Sequence, residues 1–492
     1  MRSPRSTIGV GGGIGLMLIA LATSGSARQA VKPSSDKIPI TTADPDARKL
    51  YVQARDLAEK LRATDARKLY EQAVARDPKF ALAYVGLANT SGTNREFVEA
   101  TAKAVALAGN VSEGERHIIL ALDAGLKGDP SAVLNHNTDL VRLFPNDERA
   151  HNLLGNVYFG RQEYEKAVSH YTKATAIAPS YSQPYNQLGY AYRFLEKYDE
   201  AERTFKKYTE LIPGDPNPHD SYAELLMKIG RFDESIKAYE KALSIDPNFV
   251  ASHVGIGNNY LCMSQPDQAR AAFSKIAAVA RTTGERRLAR FWTAAAYVHE
   301  GATDKALEEI KANSALSAAE QDGGTISGDL NLMGDILREA GRLEEAQARY
   351  AEAVAAIEKA RVPDEVKEAT RRNHLFEQGR LAAAKHDLAT ARARAGEYAA
   401  KVAVRKAPFE VRQQHELAGL IALAEKQYDA AAKELAQAGQ QDPRILYLTA
   451  VALRGAGDSA KATALAGKAA TFNGLNFSWA YVRKAAQKGA GT

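Results

Sequence analysis

Between Glu148 and Pro179 the chain carries two apolar stripes at helical spacing, divided by a short polar interruption. Leu154, Gly155 and Tyr158 recur on one helix face; GRQEY breaks the pattern; Ala167, Tyr171 and Ala174 then mark a second face that Pro179 ends. Apolar residues three and four apart predict amphipathic helices, and proline stops one because its ring and missing amide block the next turn. Each half is about three turns long and cannot bury its stripe alone. The pattern therefore predicts two antiparallel helices joined by a tight turn and stacked on similar pairs. Gly155 and Ala167 are small so that the partner helix can approach.

The same pattern returns with a fixed period. Pro145, Pro179, Pro213 and Pro247 stand 34 residues apart. In step with them, Gly155 and Gly189 are followed by Ala223 and Gly257, Tyr158 and Tyr192 by Leu226 and Tyr260, and Ala167 and Ala201 by Ser235 and Ala269. Tyr171, Phe205, Tyr239 and Phe273 complete the register. A period of this length, held without insertion, predicts a stacked array rather than a closed globule. No run of alternating Val, Ile or Thr bounded by turn residues stands against it, so the expected class is all-α.

These residues at these spacings resemble the tetratricopeptide repeat family. The likeness is fullest in NQLGYAYRFLEKYDEAERTFKKYTELIP (Asn186 to Pro213) and in AELLMKIGRFDESIKAYEKALSIDP (Ala223 to Pro247). It implies an all-α, right-handed superhelical solenoid of stacked antiparallel helix pairs. With more wear, Ala54, Tyr70, Ala73 and Pro78 continue the register upstream, as do Leu87, Ala104, Leu120 and Ala124. Downstream it runs on through Ala294, Tyr297, Ala306 and Ile310, then Gly334, Leu337, Ala346 and Tyr350. Gly419, Ala431, Leu435 and Pro443, then Ala450, Leu453, Ala462 and Ala469, complete about ten to twelve pairs.

The expected organisation is a signal peptide over residues 1–27, a flexible lead-in over 28–44 and a repeat array over 45–316. A glycine-rich break over 317–330 separates it from a degenerate array over 331–471, and a capping helix and tail fill 472–492. Glycines 323, 324 and 328 mark the break, and Pro363 stops a helix that EKARVPDEVKEATRRN extends. Beyond that point the chain turns alanine-rich. Phe477, Trp479 and Tyr481 are expected to cap the last pair, with a partner site as the alternative.

Charge changes this picture little. The net charge of +6 comes from 65 basic residues interleaved with 59 acidic ones, as in EYEKAVSHYTKA, so no phosphate-tracking stripe forms and nucleic acid is not an expected partner. Arg2 and Arg5, the apolar stretch Ile8 to Ala22 and the small residues Gly25-Ser26-Ala27 read as an export signal cleaved after Ala27. The expected location is the periplasm or the exterior, with an outward-facing inner-membrane anchor as the alternative if the signal is kept. The lone Cys262 is expected to be a buried small apolar residue.

No catalytic, cofactor or metal motif stands out: His-Glu-x-x-His, paired cysteines and Gly-x-Ser-x-Gly are missing from the sequence. His151, His219, His253 and His415 hold equivalent places near the starts of first helices, roughly 20 Å apart between neighbouring repeats, and are expected to be half-buried packing rings. The family resemblance implies that first helices line a concave surface. Its candidate partner-binding residues are Asn152, Asn156, Asn186, Tyr190, Arg193, Asp220, Glu224, Lys228 and Asn258, taken as exposed positions. Side-chain amides suit extended peptide because each carries donors and an acceptor. Family members that hold chaperone carboxyl termini use cations where this chain has Asp220 and Glu224, so a basic or neutral peptide segment is the expected guest. The leading expectation is a non-enzymatic exported adaptor for another protein. A membrane-tethered assembly scaffold and, more remotely, a polymer-binding enzyme are the alternatives.

Overall fold

The computed structural model describes residues 36–60, 62–319 and 322–491. Among these residues there are twenty-five α-helices, one short 3-10 turn and no strand. The helices run as consecutive pairs. The first four are α1 (Pro45–Glu59) with α2 (Ala63–Arg76), α3 (Ala81–Asn89) with α4 (Asn94–Leu107), α5 (Glu113–Leu126) with α6 (Pro130–Leu143), and α7 (Glu148–Gly160) with α8 (Tyr164–Ile177). Next come α9 (Gln183–Phe194) with α10 (Tyr198–Leu211), α11 (Pro216–Lys228) with α12 (Phe232–Ile245), α13 (Val250–Cys262) with α14 (Pro266–Val279), and α15 (Thr283–Glu300) with α16 (Thr303–Ala319). The last four are α17 (Gly323–Glu339) with α18 (Leu343–Lys359), α19 (Asp364–Ala384) with α20 (Leu388–Arg405), α21 (Pro408–Ala424) with α22 (Tyr428–Leu435), and α23 (Pro443–Gly455) with α24 (Ser459–Ala470). A single helix, α25 (Trp479–Ala490), follows. The solenoid of stacked pairs is thus as the period predicts: each helix packs on the next, and first helices such as α7, α9, α11, α13 and α15 also touch one another. None of the described helices is long and apolar enough to cross a membrane. The expected signal over 1–27 lies outside the described residues.

Four of the pairs close on one recurring contact. The aromatic ring of the second helix lies against the glycine sixteen residues earlier in the first: Tyr171 on Gly155, Phe205 on Gly189, Phe273 on Gly257 and Tyr350 on Gly334. A methyl group at Gly189 would stand 2.6 Å from the Phe205 ring, far inside van der Waals contact. Where the first helix has alanine instead, the ring turns to a glycine in the next first helix: Tyr239 lies on Gly255 and Tyr70 on Gly86. The rings of Tyr171, Phe205, Tyr239 and Phe273 are wholly buried. Ser235, the one polar residue at the alanine position, is buried too, and its hydroxyl donates to the Ala223 carbonyl at 2.7 Å.

The glycines expected to mark a break open α17 instead. Gly323 and Gly324 lie in its first turn, where a methyl group would stand 2.7 Å from the Ala360 Cβ and 2.8 Å from the Asn94 amide nitrogen. The array turns far enough for α4 to reach α17. The Asn94 N–H donates to Asp322 Oδ2 at 3.3 Å, and its side-chain amide donates to Thr325 Oγ1 at 3.3 Å. The small residues serve a close crossing rather than a hinge. Pro363 likewise precedes α19 as its N-cap and does not interrupt α18, which has already ended at Lys359.

The described part of the lead-in is held down. The Ile38 N–H donates to Asp147 Oδ2 at 2.9 Å and the Thr41 N–H to Glu115 Oε1 at 2.7 Å. Both carboxylates sit at helix starts, where they also serve the helix's own open amides. This corrects the expected flexibility for residues 37–44, because fixed acceptors satisfy a backbone that composition alone leaves free.

The carboxyl end does more than cap the last pair. Ala486 of α25 packs with Leu446, Ala469 and Ala470 of α23 and α24. The same face of α25 docks far upstream at its amino-terminal end: Trp479, wholly buried, joins Phe273 and Trp292, with its ring 5.1 Å from His299. Phe477 meets Phe291 at 5.0 Å between ring centres. The buried Arg483 guanidinium donates to the Cys262 carbonyl at 3.0 Å, 221 residues earlier. The aromatics expected on the last pair therefore pack on α15 and the helices beside it.

Two outcomes are expected. Alanine for glycine in an exposed helix interior normally stabilises by about 1 kcal/mol, whereas overpacking a tight contact costs about 1–3 kcal/mol. Gly257→Ala should therefore lower the melting temperature, and Gly396→Ala, inside α20 with nothing nearby, should raise it; equal shifts in a thermal melt would refute the ring contact. Trp479→Ala should cost about 3–5 kcal/mol and raise hydrogen exchange in α13 and α15. Exchange raised only in α24 and α25 would show that the docking does not hold.

Candidate functional site

The nine candidate residues lie on the first helices α7, α9, α11 and α13 as two columns and a flank. Asn152, Asn186 and Asp220 stand 34 residues apart in one column. Asn156, Tyr190, Glu224 and Asn258 form the second, one helical turn further on. Arg193 and Lys228 lie at the ends of α9 and α11. The first-helix packing brings successive repeats so close that most of these side chains are not open to water. Asn152, Asn186, Asp220 and Asn258 are buried and the other five are half-buried, which corrects the expectation of exposed positions.

For five of them the partner is a side chain on the neighbouring first helix or just before it. The Asn152 amide donates to Gln183 Oε1 at 2.9 Å, the Tyr190 hydroxyl to Ser221 Oγ at 3.4 Å, and Arg193 pairs with Glu224 at 3.1 Å. The Ser252 hydroxyl donates to Asp220 Oδ1 at 2.7 Å. Each bond spans 31 or 32 residues, one repeat less about one turn. Residues on adjacent first helices therefore meet across the repeat boundary. Asn156 instead accepts from the Tyr171 hydroxyl at 2.8 Å, holding its own pair, and the Asn258 amide donates to the Val254 carbonyl at 3.0 Å. Arg193 also stacks over the rings of Tyr190 and Phe194, at 4.7 and 5.2 Å from their centres.

Burial, and after it the Glu224 carboxylate, pushes the Asp220 carboxyl up to about 8, against the Ser252 hydrogen bond. Neither acid presents a free negative charge to a guest, because Glu224 is paired and Asp220 is hydrogen-bonded and easily protonated. Toward the carboxyl end the first helices α17, α19, α21 and α23 are joined by ion pairs. Arg380 meets Glu377 at 2.9 Å, Asp335 at 3.3 Å and Glu416 at 3.4 Å, and Arg444 meets Glu416 at 2.7 Å. These residues line a cavity of about 370 Å³, and burial pushes Glu416 and Asp442 there up to about 7. Sequence reasoning had no means of pairing these carboxylates, since they come from α17, α19, α21 and α23.

A larger cavity, about 1070 Å³, opens where the ends of α9 and α11 face the segment leading into α25. Arg193, Phe194, Lys228 and Phe232 line one wall, and Lys468, Phe472, Asn473 and Arg483 the other. Three of its four cations have polar partners: Arg193 pairs with Glu224, Lys468 with Glu196 at 3.5 Å, and Arg483 bonds to Cys262 and Asn473. The Lys228 ammonium stands 4.2 Å over the Phe472 ring and makes no ion pair among the described residues. Burial, followed by the charge of Arg193, pushes it down to about 8.

The histidines form a third feature. The His151 imidazole shares a hydrogen bond through Nε2 with the Pro145 carbonyl at 3.0 Å, and His253 does so with the Pro247 carbonyl at 3.2 Å. At the corresponding place Tyr185 donates to the Pro179 carbonyl at 3.2 Å. These rings thus tie the proline that ends one pair to the start of the next, a more specific role than packing. His151 also meets His170 across its own helix pair, and His117 meets His136 in the same way. The signal was present in the sequence, since both partners recur 34 residues on, but it needed a cross-helix register to be read. No cluster of three or more metal-ligating side chains occurs among the described residues.

Three models of the tetratricopeptide repeat match this chain: one over residues 146–213, one over 223–262 and one over both 51–110 and 254–320. The chain is a tetratricopeptide repeat protein, an all-α repeat solenoid of the kind that serves as a protein-interaction scaffold. No curated protein matches it. Among solved structures it is similar to MamA, at 22% identity over 32% of this chain and 91% of that one, with a TM-score of 0.28. MamA from Desulfovibrio magneticus RS-1 gives 17% identity over 35% and 96%, with a TM-score of 0.30. A tetratricopeptide repeat protein from Parabacteroides merdae gives 17% over 56% and 94%, with a TM-score of 0.36.

The raised Asp220 sets a pH dependence. A folded-state value near 8 against an ordinary 3.8 means that its contribution is fully present below about 4 and is lost as pH rises to 8. Asp220→Asn should therefore match the parent near pH 4 and exceed it in stability by a margin that grows toward pH 8 in denaturant melts. A constant difference between the two pH values would remove the buried carboxyl as the cause.

Proposed function

We propose that the chain is a non-enzymatic adaptor that acts outside the cytoplasm and takes a segment of a partner protein into the cavity between α9, α11 and the segment leading into α25. The observation that carries this reading is Lys228, a half-buried cation that makes no ion pair among the described residues, in a space of about 1070 Å³. A side-chain carboxylate of the guest would supply that partner, with Phe194, Phe232 and Phe472 offering apolar contact to its neighbours. This favours an acidic segment over the basic or neutral one expected from Asp220 and Glu224, whose charges are engaged within the inner face. The groove is preorganised by the inter-repeat bonds, so little ordering accompanies capture.

The test is site-specific crosslinking in intact cells from a photoreactive residue placed at Phe232. Lys228→Glu should abolish the crosslinked product while leaving the helical circular dichroism unchanged, and Lys275→Glu on the exposed face of α14 should leave capture intact. Capture that survives Lys228→Glu would sink the cavity reading. The tethered-scaffold alternative differs only in whether the apolar run Ile8 to Ala22 is retained. Amino-terminal sequencing separates the two, since a mature start at Arg28 excludes the tether.

A further inference from the structure

Two histidine pairs occupy the same place in neighbouring repeats. His117 on α5 and His136 on α6 bring their Nδ1 atoms to 3.1 Å, and His151 on α7 and His170 on α8 do the same at 3.1 Å. Both members recur with the 34-residue period, so the pair belongs to the repeat and not to an accident of one surface. Neighbouring positions show what else this place holds. In the repeats that begin at α11 and α13, the position nineteen residues after His219 and His253 holds Ala238 and Ala272, so the helix pair forms without a second histidine. At His415 the partner is Glu434, with Nδ1 and Oε2 2.7 Å apart, the geometry of a direct hydrogen bond.

The distance suits a shared ion. Two imidazole nitrogens each about 2.05 Å from zinc or a neighbouring divalent metal stand about 3.3 Å apart at a tetrahedral angle and about 2.9 Å apart at a right angle. The observed 3.1 Å lies between these. The surroundings prepare the ring as well. The Nε2 of His151 lies 3.0 Å from the Pro145 carbonyl, which can only accept, so that nitrogen carries the proton and Nδ1 presents its lone pair toward His170. A carbonyl that fixes the tautomer of a histidine is the usual outer support of a metal ligand. His170 needs its own proton on Nε2 for its Nδ1 to join, a tautomer change that exchanges a proton with water and leaves its charge unaltered.

We propose that His151 and His170 chelate one divalent transition metal ion through their Nδ1 atoms, and that His117 and His136, with the same Nδ1 separation, form a second site. The metal is of the class that prefers imidazole nitrogen, such as zinc, nickel or copper(II). With two protein ligands, the remaining coordination positions belong to water or to a donor from outside the chain. Burial holds His117, His151 and His170 below the ordinary histidine value, which keeps protons from competing for the ligand atoms near neutral pH.

The test is isothermal titration of the untagged full-length chain with nickel(II) at pH 8, with copper(II) electron paramagnetic resonance as a second readout. Two equivalents should bind. His170→Ala should remove one equivalent and His136→Ala the other, and the variant carrying both changes should bind at least tenfold more weakly. His415→Ala should keep both equivalents. The copper spectrum should report two nitrogen ligands per ion. Circular dichroism checks that the fold is kept, and His170→Gln repeats the measurement should His170→Ala unfold the chain. No binding by the parent, or two equivalents retained when both His136 and His170 are replaced, would overturn the proposal.

Discussion

The structure rests on a ring laid against a missing side chain. Wherever Tyr171, Phe205, Phe273 or Tyr350 meets its glycine, the two helices of a pair approach to a distance that even a methyl group would prevent. In those pairs that distance fixes the thickness of the unit, and with it how neighbouring units stack. The two exceptions make the rule clearer. With Ala54 and Ala223 in the first helix, the rings of Tyr70 and Tyr239 find Gly86 and Gly255 in the following repeat instead. The requirement is one glycine per ring, on either side, and α13 meets it twice, with Gly255 under Tyr239 and Gly257 under Phe273.

Tight stacking explains why the inner face is polar and yet closed. First helices this near place each residue beside one on the next repeat, a turn earlier, which yields Asn152 with Gln183, Tyr190 with Ser221 and Arg193 with Glu224. Polar groups removed from water need such partners, since an unpaired one costs about 1–3 kcal/mol. The side chains that look in sequence like a wet binding surface are thus largely occupied in joining repeats. Open chemistry is displaced to the edge of the columns, where α9 and α11 end and the docking of Trp479 and Arg483 folds the carboxyl end over them.

The fold was legible because every contact that defines a pair lies within one period. The ring and its glycine are sixteen residues apart, and the proline that ends a unit lies six residues before the histidine or tyrosine that binds its carbonyl. The reading lost its hold where distance in the chain grew. Nothing local distinguishes Gly323 and Gly324 as a crossing with Asn94, rather than a flexible joint, when the two lie more than two hundred residues apart. The same holds for Arg483 and Cys262. The candidate site was legible in position but not in state: the periodic columns were found, while their burial depended on neighbours in other repeats. The histidine pairs were recorded in the period and still missed, because matching histidines were compared between repeats and not across the two helices of one.

The change in inner-face chemistry along the array follows from what the side chains can offer. In the central repeats large rings supply shape, and amides, a hydroxyl and a single ion pair suffice to join neighbours. Beyond α18 alanine replaces much of that volume, and a seam of small residues offers little shape by which one register could be told from another. There the contacts become buried charges, with Arg380 held by Glu377, Asp335 and Glu416, and Arg444 by Glu416. Buried pairs add little net stability over apolar residues of equal size, since desolvation offsets their attraction, but a displaced register would strand a charge at a cost of about 3–5 kcal/mol. Specificity of stacking, supplied by volume where rings are plentiful, is supplied by charge where they are not.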